Sequence, residues 1–281
     1  MKAKKSFGQN FLVDRNYISK IIRALNPQPG ETIIEIGAGR GALTEFLIES
    51  GANVVAIELE RGMIAVLRER FAGNDNFKLV ETDALKIDFA ETISNFKFQV
   101  SSNKPAKIVA NLPYNISTAI LQKLIEQRSC FSEMILMFQR EVVERITAEV
   151  GNSERGFLTV LTEAYLESEK LFDVSPNAFR PVPKVWSSVV RLKPKNEVLI
   201  KNQKLFRELV SAAFRQKRKT LINNLKNAEL QSLPGIKLDW KAILEQVEIA
   251  PNRRAESLRR DEWEKVYCAV LNFAKPKLFF N

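Results

Sequence analysis

The chain has 281 residues, 45% hydrophobic and 27% charged, with 11 glycines and 11 prolines, which is the composition of an ordinary folded protein and excludes disordered, collagen-like and rod-like classes. It contains no histidine, which removes Ser-His and Cys-His nucleophile pairs and every histidine-ligated metal centre, and no metal is expected. The formal charge of +10 is unevenly placed: residues 180–281 hold 22 Lys and Arg against 10 Asp and Glu, whereas the first 179 residues hold 21 against 23.

Such asymmetry suggests a polyanionic partner, because each neutralised phosphate releases condensed counterions. From charge alone, nucleic acid, an anionic membrane surface and a merely solvated basic face all remain open. The length admits two domains of ordinary size. Cys130 and Cys268 fit neither a metal knuckle nor a disulfide framework, so a reducing, cytoplasmic setting is expected. The basic start Met1-Lys2-Ala3-Lys4-Lys5 is followed by no apolar run, and the uncharged stretch from Ile108 to Gln122 carries Asn111, Pro113 and Asn115; no export signal and no membrane span are expected.

In chain order, short apolar runs alternate with helix-period segments from Thr32 onward: Ile33–Ile36, then a helix over Ala42–Ser50, then Val54–Ile57, then a helix over Arg61–Phe71. That is the rhythm of a parallel sheet with helices on both faces. It continues through Phe77–Val80, Lys107–Ala110, a helix over Ser117–Glu126 and a strand over Met134–Phe138. A proline-punctuated stretch, Ser175 to Pro183, precedes a strand over Ser187–Leu192. After Pro194 the apolar spacing is helical only, as in Leu205, Leu209, Ala212 and Ala213. The expected division is an α/β domain over residues 1–195 and a small all-α domain over 196–281.

Glu35-Ile36-Gly37-Ala38-Gly39-Arg40-Gly41-Ala42 closes the first strand of the series, where glycines let a backbone turn sharply and approach a ligand. The string also satisfies a dinucleotide fingerprint, so both a dinucleotide and a nucleoside-sulfonium cofactor remain open at this point. Glu58 ends the next strand, where a carboxylate accepts hydrogen bonds from ribose hydroxyls in either case. Asp83 follows the third strand at the carboxyl edge of the sheet, with an adenine amino group as its candidate partner. The fourth strand ends in Asn111-Leu112-Pro113-Tyr114, which no hydride transfer requires. An Asn oxygen and a backbone carbonyl at a rigid proline turn make a pair of acceptors for an exocyclic NH₂, with a Tyr ring to stack on its base.

Four motifs, Ser6-Phe7-Gly8-Gln9-Asn10-Phe11-Leu12, Asn111-Leu112-Pro113-Tyr114, Phe179-Arg180-Pro181-Val182-Pro183-Lys184-Val185 and Phe214-Arg215-Gln216-Lys217-Arg218-Lys219-Thr220-Leu221, resemble those of the KsgA (RsmA) family of ribosomal RNA adenine dimethyltransferases. The resemblance runs nearly end to end, with several motifs shared by Erm methyltransferases and transcription-factor-B proteins. It implies a Rossmann-like class I methyltransferase that uses S-adenosylmethionine to dimethylate N6 of two adjacent adenosines in the 3′-terminal hairpin loop of small-subunit (16S) ribosomal RNA. It further implies a pre-30S particle as partner, a monomer, a cofactor-binding catalytic domain over 1–195 and an RNA-binding helical domain over 196–281. By motif match, Asn10, Leu12, Gly37, Glu58, Asp83 and Asn111 would lie against the cofactor. Asn111 and the Pro113 carbonyl would hold the target amine, and Tyr114 and Phe179 would sandwich the flipped base. The basic residues Arg215, Lys217, Arg218 and Lys219, with Arg253, Arg254, Arg259 and Arg260, would contact phosphates. An Erm-like enzyme of the large-subunit RNA and a non-catalytic RNA-binding relative are the alternatives.

No histidine is needed for such chemistry. An adenine N6 lone pair is delocalised into the ring until the nitrogen rehybridises, and two acceptors on its hydrogens favour that change. In-line placement of well-oriented reactants contributes roughly 7–11 kcal/mol.

Overall fold

The computed structural model describes residues 10–96 and 105–278. Among them the chain forms two compact units: the part up to Val143 with Leu166–Pro194, and Glu144–Tyr165 with the part from Lys195 onward. The single cut expected after residue 195 therefore differs from the observed division, in which the Glu144–Tyr165 segment groups with the later helices. The reason is side-chain character: Val160, Leu161, Ala164 and Tyr165 are all buried, and Tyr165 meets Phe206 edge-to-face at 6.2 Å.

In the first unit the elements are β1 (Phe11–Leu12), α1 (Arg15–Leu25), β2 (Thr32–Ile36), α2 (Thr44–Glu49), β3 (Asn53–Glu58), α3 (Arg61–Arg70), β4 (Phe77–Glu81), α4 (Phe89–Asn95), β5 (Ala106–Asn111), α5 (Ser117–Glu126) and β6 (Phe131–Gln139). After α6 (Arg140–Ile146) and α7 (Phe157–Tyr165) come β7 (Leu166–Val174), β8 (Phe179–Arg180) and β9 (Ser187–Pro194). The seven-stranded sheet runs β4-β3-β2-β5-β6-β9-β7. Its first five strands are parallel, and β9 pairs antiparallel with both β6 and β7. All five residues of β2 and all six of β3 are buried, as parallel strands covered on both faces require.

The strand order reverses at β2, which has β3 on one side and β5 on the other; open α/β sheets bind ligands above such a point. A separate two-stranded ribbon pairs β1 with β8, setting Leu12 opposite Phe179 and Phe11 opposite Arg180. Side-chain caps hold the starts of helices α1, α3 and α4: Asp14 accepts from the Asn16 N–H at 2.8 Å, Glu60 from the Met63 N–H at 3.0 Å and Asp88 from the Glu91 N–H at 3.0 Å. The helix expected at Ala42–Ser50 is shorter, Thr44–Glu49, because residues 39–43 form turns in which Gly39 and Gly41 take left-handed φ angles.

The second unit contains α7, α8 (Gln203–Ala213), α9 (Leu221–Leu225), α10 (Trp240–Gln246) and α11 (Arg260–Leu278), so the expectation of helices after Pro194 holds. No helix of the described residues is long and apolar enough to cross a membrane.

Candidate active site

A cavity of about 510 Å³ opens above the carboxyl ends of β2, β3 and β5. Its floor is the loop after β2, where Gly37, Gly39 and Gly41 all have left-handed φ angles. Two of these glycines are also needed for space. A Cβ on Gly39 would lie 3.1 Å from the Phe11 ring, and one on Gly41 would lie 2.6 Å from the Phe71 ring.

Glu58, at the end of β3, is buried and fully engaged with backbone. Its Oε2 accepts from the Gly39 N–H at 2.8 Å, and its Oε1 accepts from the N–H groups of Leu59 and Glu60 at 2.9 and 3.0 Å. The turns after β2 and β3 thus fix the carboxylate: Oε1 is saturated by two donors, while Oε2 keeps a lone pair for a ligand hydroxyl. Glu35 lines the same cavity and accepts from the Thr44 hydroxyl at 2.5 Å. Burial pushes its carboxyl up to about 8 against the opposing Thr44 hydrogen bond, and the Glu58 charge adds to the rise. Sequence reasoning gave Glu35 no role. Its signal was an acid inside an otherwise apolar strand, Thr32-Ile33-Ile34-Glu35-Ile36, which apolar patterning alone passes over.

The opposite wall is the corner after β5. The Asn111 side-chain amide donates to the Asn10 carbonyl at 3.0 Å, and among the described residues no donor bonds to Asn111 Oδ1. Pro113 O accepts from the Ile116 N–H at 3.2 Å, which uses one of its two lone pairs. The Tyr114 and Ser187 hydroxyls share a hydrogen bond of 2.8 Å; burial pushes the Tyr114 phenol up, with the Ser187 bond acting in the other direction.

The structure therefore brings Asn10, Leu12, Gly37, Glu58, Asn111, Pro113 and Tyr114 to one cavity. It does not bring Asp83 and Phe179 to its lining. Asp83 lies just past β4, where its Oδ1 accepts from the Leu85 N–H at 2.9 Å and so holds its own turn. Phe179 is 0% exposed, because its place opposite Leu12 in the β1–β8 ribbon turns it into the core beside Val174 and Val189; it offers no face to a base.

The model of the ribosomal RNA adenine dimethylase family matches residues 1–268. The chain belongs to that family. Among its relatives are proteins named ribosomal RNA small subunit methyltransferase A. That of Hahella chejuensis is 39% identical over 94% of this chain and 92% of its own length. Those of Lactococcus lactis subsp. lactis and Geobacter sulfurreducens are 38% and 39% identical, over 97% and 96% of this chain and 91% and 96% of theirs. A dimethyladenosine transferase from Plasmodium falciparum superposes with a TM-score of 0.78 at 29% identity, covering 95% of this chain and 98% of its own. The 23S rRNA methyltransferase ErmE shares the fold, with a TM-score of 0.66 at 24% identity over 92% and 99% of the two chains. As a ribosomal RNA adenine dimethylase the chain is a methyltransferase, with S-adenosylmethionine as methyl donor.

The two basic clusters of this dimethylase differ sharply. Arg215, Lys217, Arg218 and Lys219 are exposed, and among the described residues none has an ion-pair partner. The second cluster is engaged internally: Arg253 forks onto Glu262, Arg254 approaches Glu256 at 3.9 Å, Arg259 pairs with Asp261 at 3.0 Å, and Arg260 with Glu264 at 2.9 Å. Arg253 also holds the Ser257 carbonyl at 2.5 Å, so it ties its loop to the start of α11. Of the two clusters expected to contact phosphates, the second thus has carboxylate partners within the fold.

Proposed function

We propose that this chain dimethylates N6 of two adjacent adenosines in the 3′-terminal hairpin loop of small-subunit (16S) ribosomal RNA, acting as a cytoplasmic monomer on pre-30S particles. The observation that carries this reading is the single cavity shared by the Gly37–Glu58 side and the Asn111–Tyr114 corner. Its roughly 510 Å³ suits a nucleoside-sized donor.

S-adenosylmethionine supplies an activated methyl group on a sulfonium. The chain's own residues have to hold, orient and accept. Glu58 is preorganised by three backbone N–H groups to accept a ribose hydroxyl on Oε2, and Gly39 leaves the room beside it. Asn10, Leu12 and Gly37 complete the donor side, and Asp83 remains a candidate for the adenine amino group on the loop beyond β4. Asn111 is oriented by Asn10 so that its carbonyl oxygen serves as an acceptor for the target amine, with Pro113 O as the second acceptor. Two acceptors draw the N6 hydrogens out of the ring plane and localise the lone pair. Tyr114 would stack on the extruded base; in an unpaired loop extrusion costs only a few kcal/mol. The proton leaves to water or a carbonyl, which fits a chain without histidine.

The test is transfer of tritiated methyl groups to unmethylated small subunits, followed by mapping of the modified nucleotides. Dimethylation of two adjacent adenosines in the terminal hairpin is expected. Modification confined to large-subunit RNA, or donor binding with no transfer, would overturn the assignment.

A further inference from the structure

Among the described residues of the first unit, exposed large apolar side chains gather beside the cavity mouth. Val182, Val185 and Trp186 are 52%, 42% and 46% exposed, and all three lie in the loop between β8 and β9. Both ends of this loop are tied to the cavity. Pro181 lines it, and Ser187, the residue after Trp186, bonds the hydroxyl of the cavity-lining Tyr114. The loop is rigidly seated as well: the Trp186 carbonyl accepts from the Arg140 N–H at 2.9 Å, and Pro181 and Pro183 restrict its backbone. Its charge is of one sign. Arg180 and Lys184 are exposed, and no acidic residue occurs from Val174 to Asn196. The Arg180 guanidinium donates to the carbonyls of Asn177 and Phe179, and among the described residues no carboxylate pairs with it.

An exposed indole on a rigid loop that also carries uncompensated cations, at the lip of a nucleotide-binding cavity, is a platform for single-stranded nucleic acid. The other two tryptophans of this chain, Trp240 and Trp263, are 4% and 1% exposed, so Trp186 is the one left at the surface. We propose that the Trp186 indole stacks on a nucleotide adjoining the one held in the cavity, with Lys184 on its phosphate, so that the Val182–Trp186 loop positions the RNA. The inference rests on the RNA-methylating function proposed above.

The test compares steady-state methylation of unmethylated small subunits by the wild type and by Trp186→Ala, Trp186→Phe and Trp186→Leu variants of the full chain, with donor affinity and thermal midpoint measured for each. Loss of one stacked base predicts a KM for subunits raised between about 5-fold and 100-fold in Trp186→Ala. Donor affinity and midpoint should be unchanged, since the side chain is on the surface. Phe should restore most of the loss and Leu little of it. Lys184→Ala should lower the slope of log KM against log salt by about 0.7, the value for one phosphate of a single strand. An unchanged KM in Trp186→Ala, or rescue by Leu equal to that by Phe, overturns the stacking role while leaving the catalytic reading intact. A wild type that binds donor and methylates no RNA fails at the earlier step, and the inference falls with it.

Discussion

The side chain of Asn111 and the backbone carbonyl of Asn10 meet at 3.0 Å although 101 positions separate them in the chain. The bond settles which end of the amide faces the cavity: nitrogen is spent on Asn10, and oxygen is left as an acceptor. A substrate amine needs acceptors, so in the proposed catalytic corner the residue just before β1 would set the polarity.

Asn111→Ala removes that acceptor. Turnover on small subunits should fall by on the order of 100-fold or more, as for other preorganised polar groups that act on a developing charge. Donor affinity, read by calorimetry, should change far less. A turnover within a few-fold of wild type would remove Asn111 from the corner's chemistry.

Glu58→Gln tests the other wall. The amide keeps the shape, but it replaces one acceptor oxygen with a donor facing backbone N–H groups. Donor affinity should fall roughly 10-fold to 100-fold, the range for a lost charge-assisted hydrogen bond. At saturating donor the rate should be nearly restored, because a grip on the sugar acts equally before and during transfer. Equal affinity in the two proteins would show that the carboxylate serves only the loop.

Glu35 gives the chain an unusual pH dependence. Its carboxyl is raised from 4.5 to about 8, chiefly by burial, so the folded state holds the proton more tightly than the unfolded chain. Stability from this group is complete below its unfolded value and is lost as pH rises through about 8. At about 1.4 kcal/mol per unit, the loss is on the order of 5 kcal/mol in the donor-free protein. Because no histidine titrates in this window, a falling thermal midpoint between pH 5 and 9 reads mainly Glu35. Glu35→Gln, which keeps an oxygen for Thr44, should flatten the profile. Parallel profiles for the two proteins would show that the carboxyl is already ionised at neutral pH.

The basic residues separate by salt. Replacing Arg215, Lys217, Arg218 and Lys219 with Ala should weaken subunit binding and reduce its salt slope, by about 0.7–0.9 for each phosphate no longer neutralised. Arg259→Ala, which breaks a pair with Asp261, should leave the slope close to wild type. Filter-binding titrations over a range of salt check both, and equal slope changes would place phosphates at both clusters.

The parallel sheet is legible in the sequence because β2, β3 and β5 are mostly apolar runs, interrupted by Glu35 and Lys107 and closed by Gly, Glu and Asn, and the cavity walls are the residues at those ends. Strand β7 escapes such patterning for a physical reason: Leu166-Glu167-Ser168-Glu169-Lys170 is an exposed edge with neither an apolar run nor alternation, held by its ladder to β9. Helix α1 precedes the first apolar run and so falls outside the strand–helix rhythm, although Ile18, Ile21 and Leu25 share a helical face. Phe179 shows a different limit. A motif names an aromatic residue, but its pairing opposite Leu12 decides whether the ring meets a ligand or the core.

The two-stranded ribbon has a thermodynamic corollary. Phe11 and Leu12 wall the cavity, while Arg180, hydrogen-bonded in register with Phe11, leads straight into the loop that carries Trp186. If stiffening one strand leaves its neighbour with less freedom to surrender, occupancy of the cavity and the proposed capture of a polynucleotide at its lip would favour each other by the same factor.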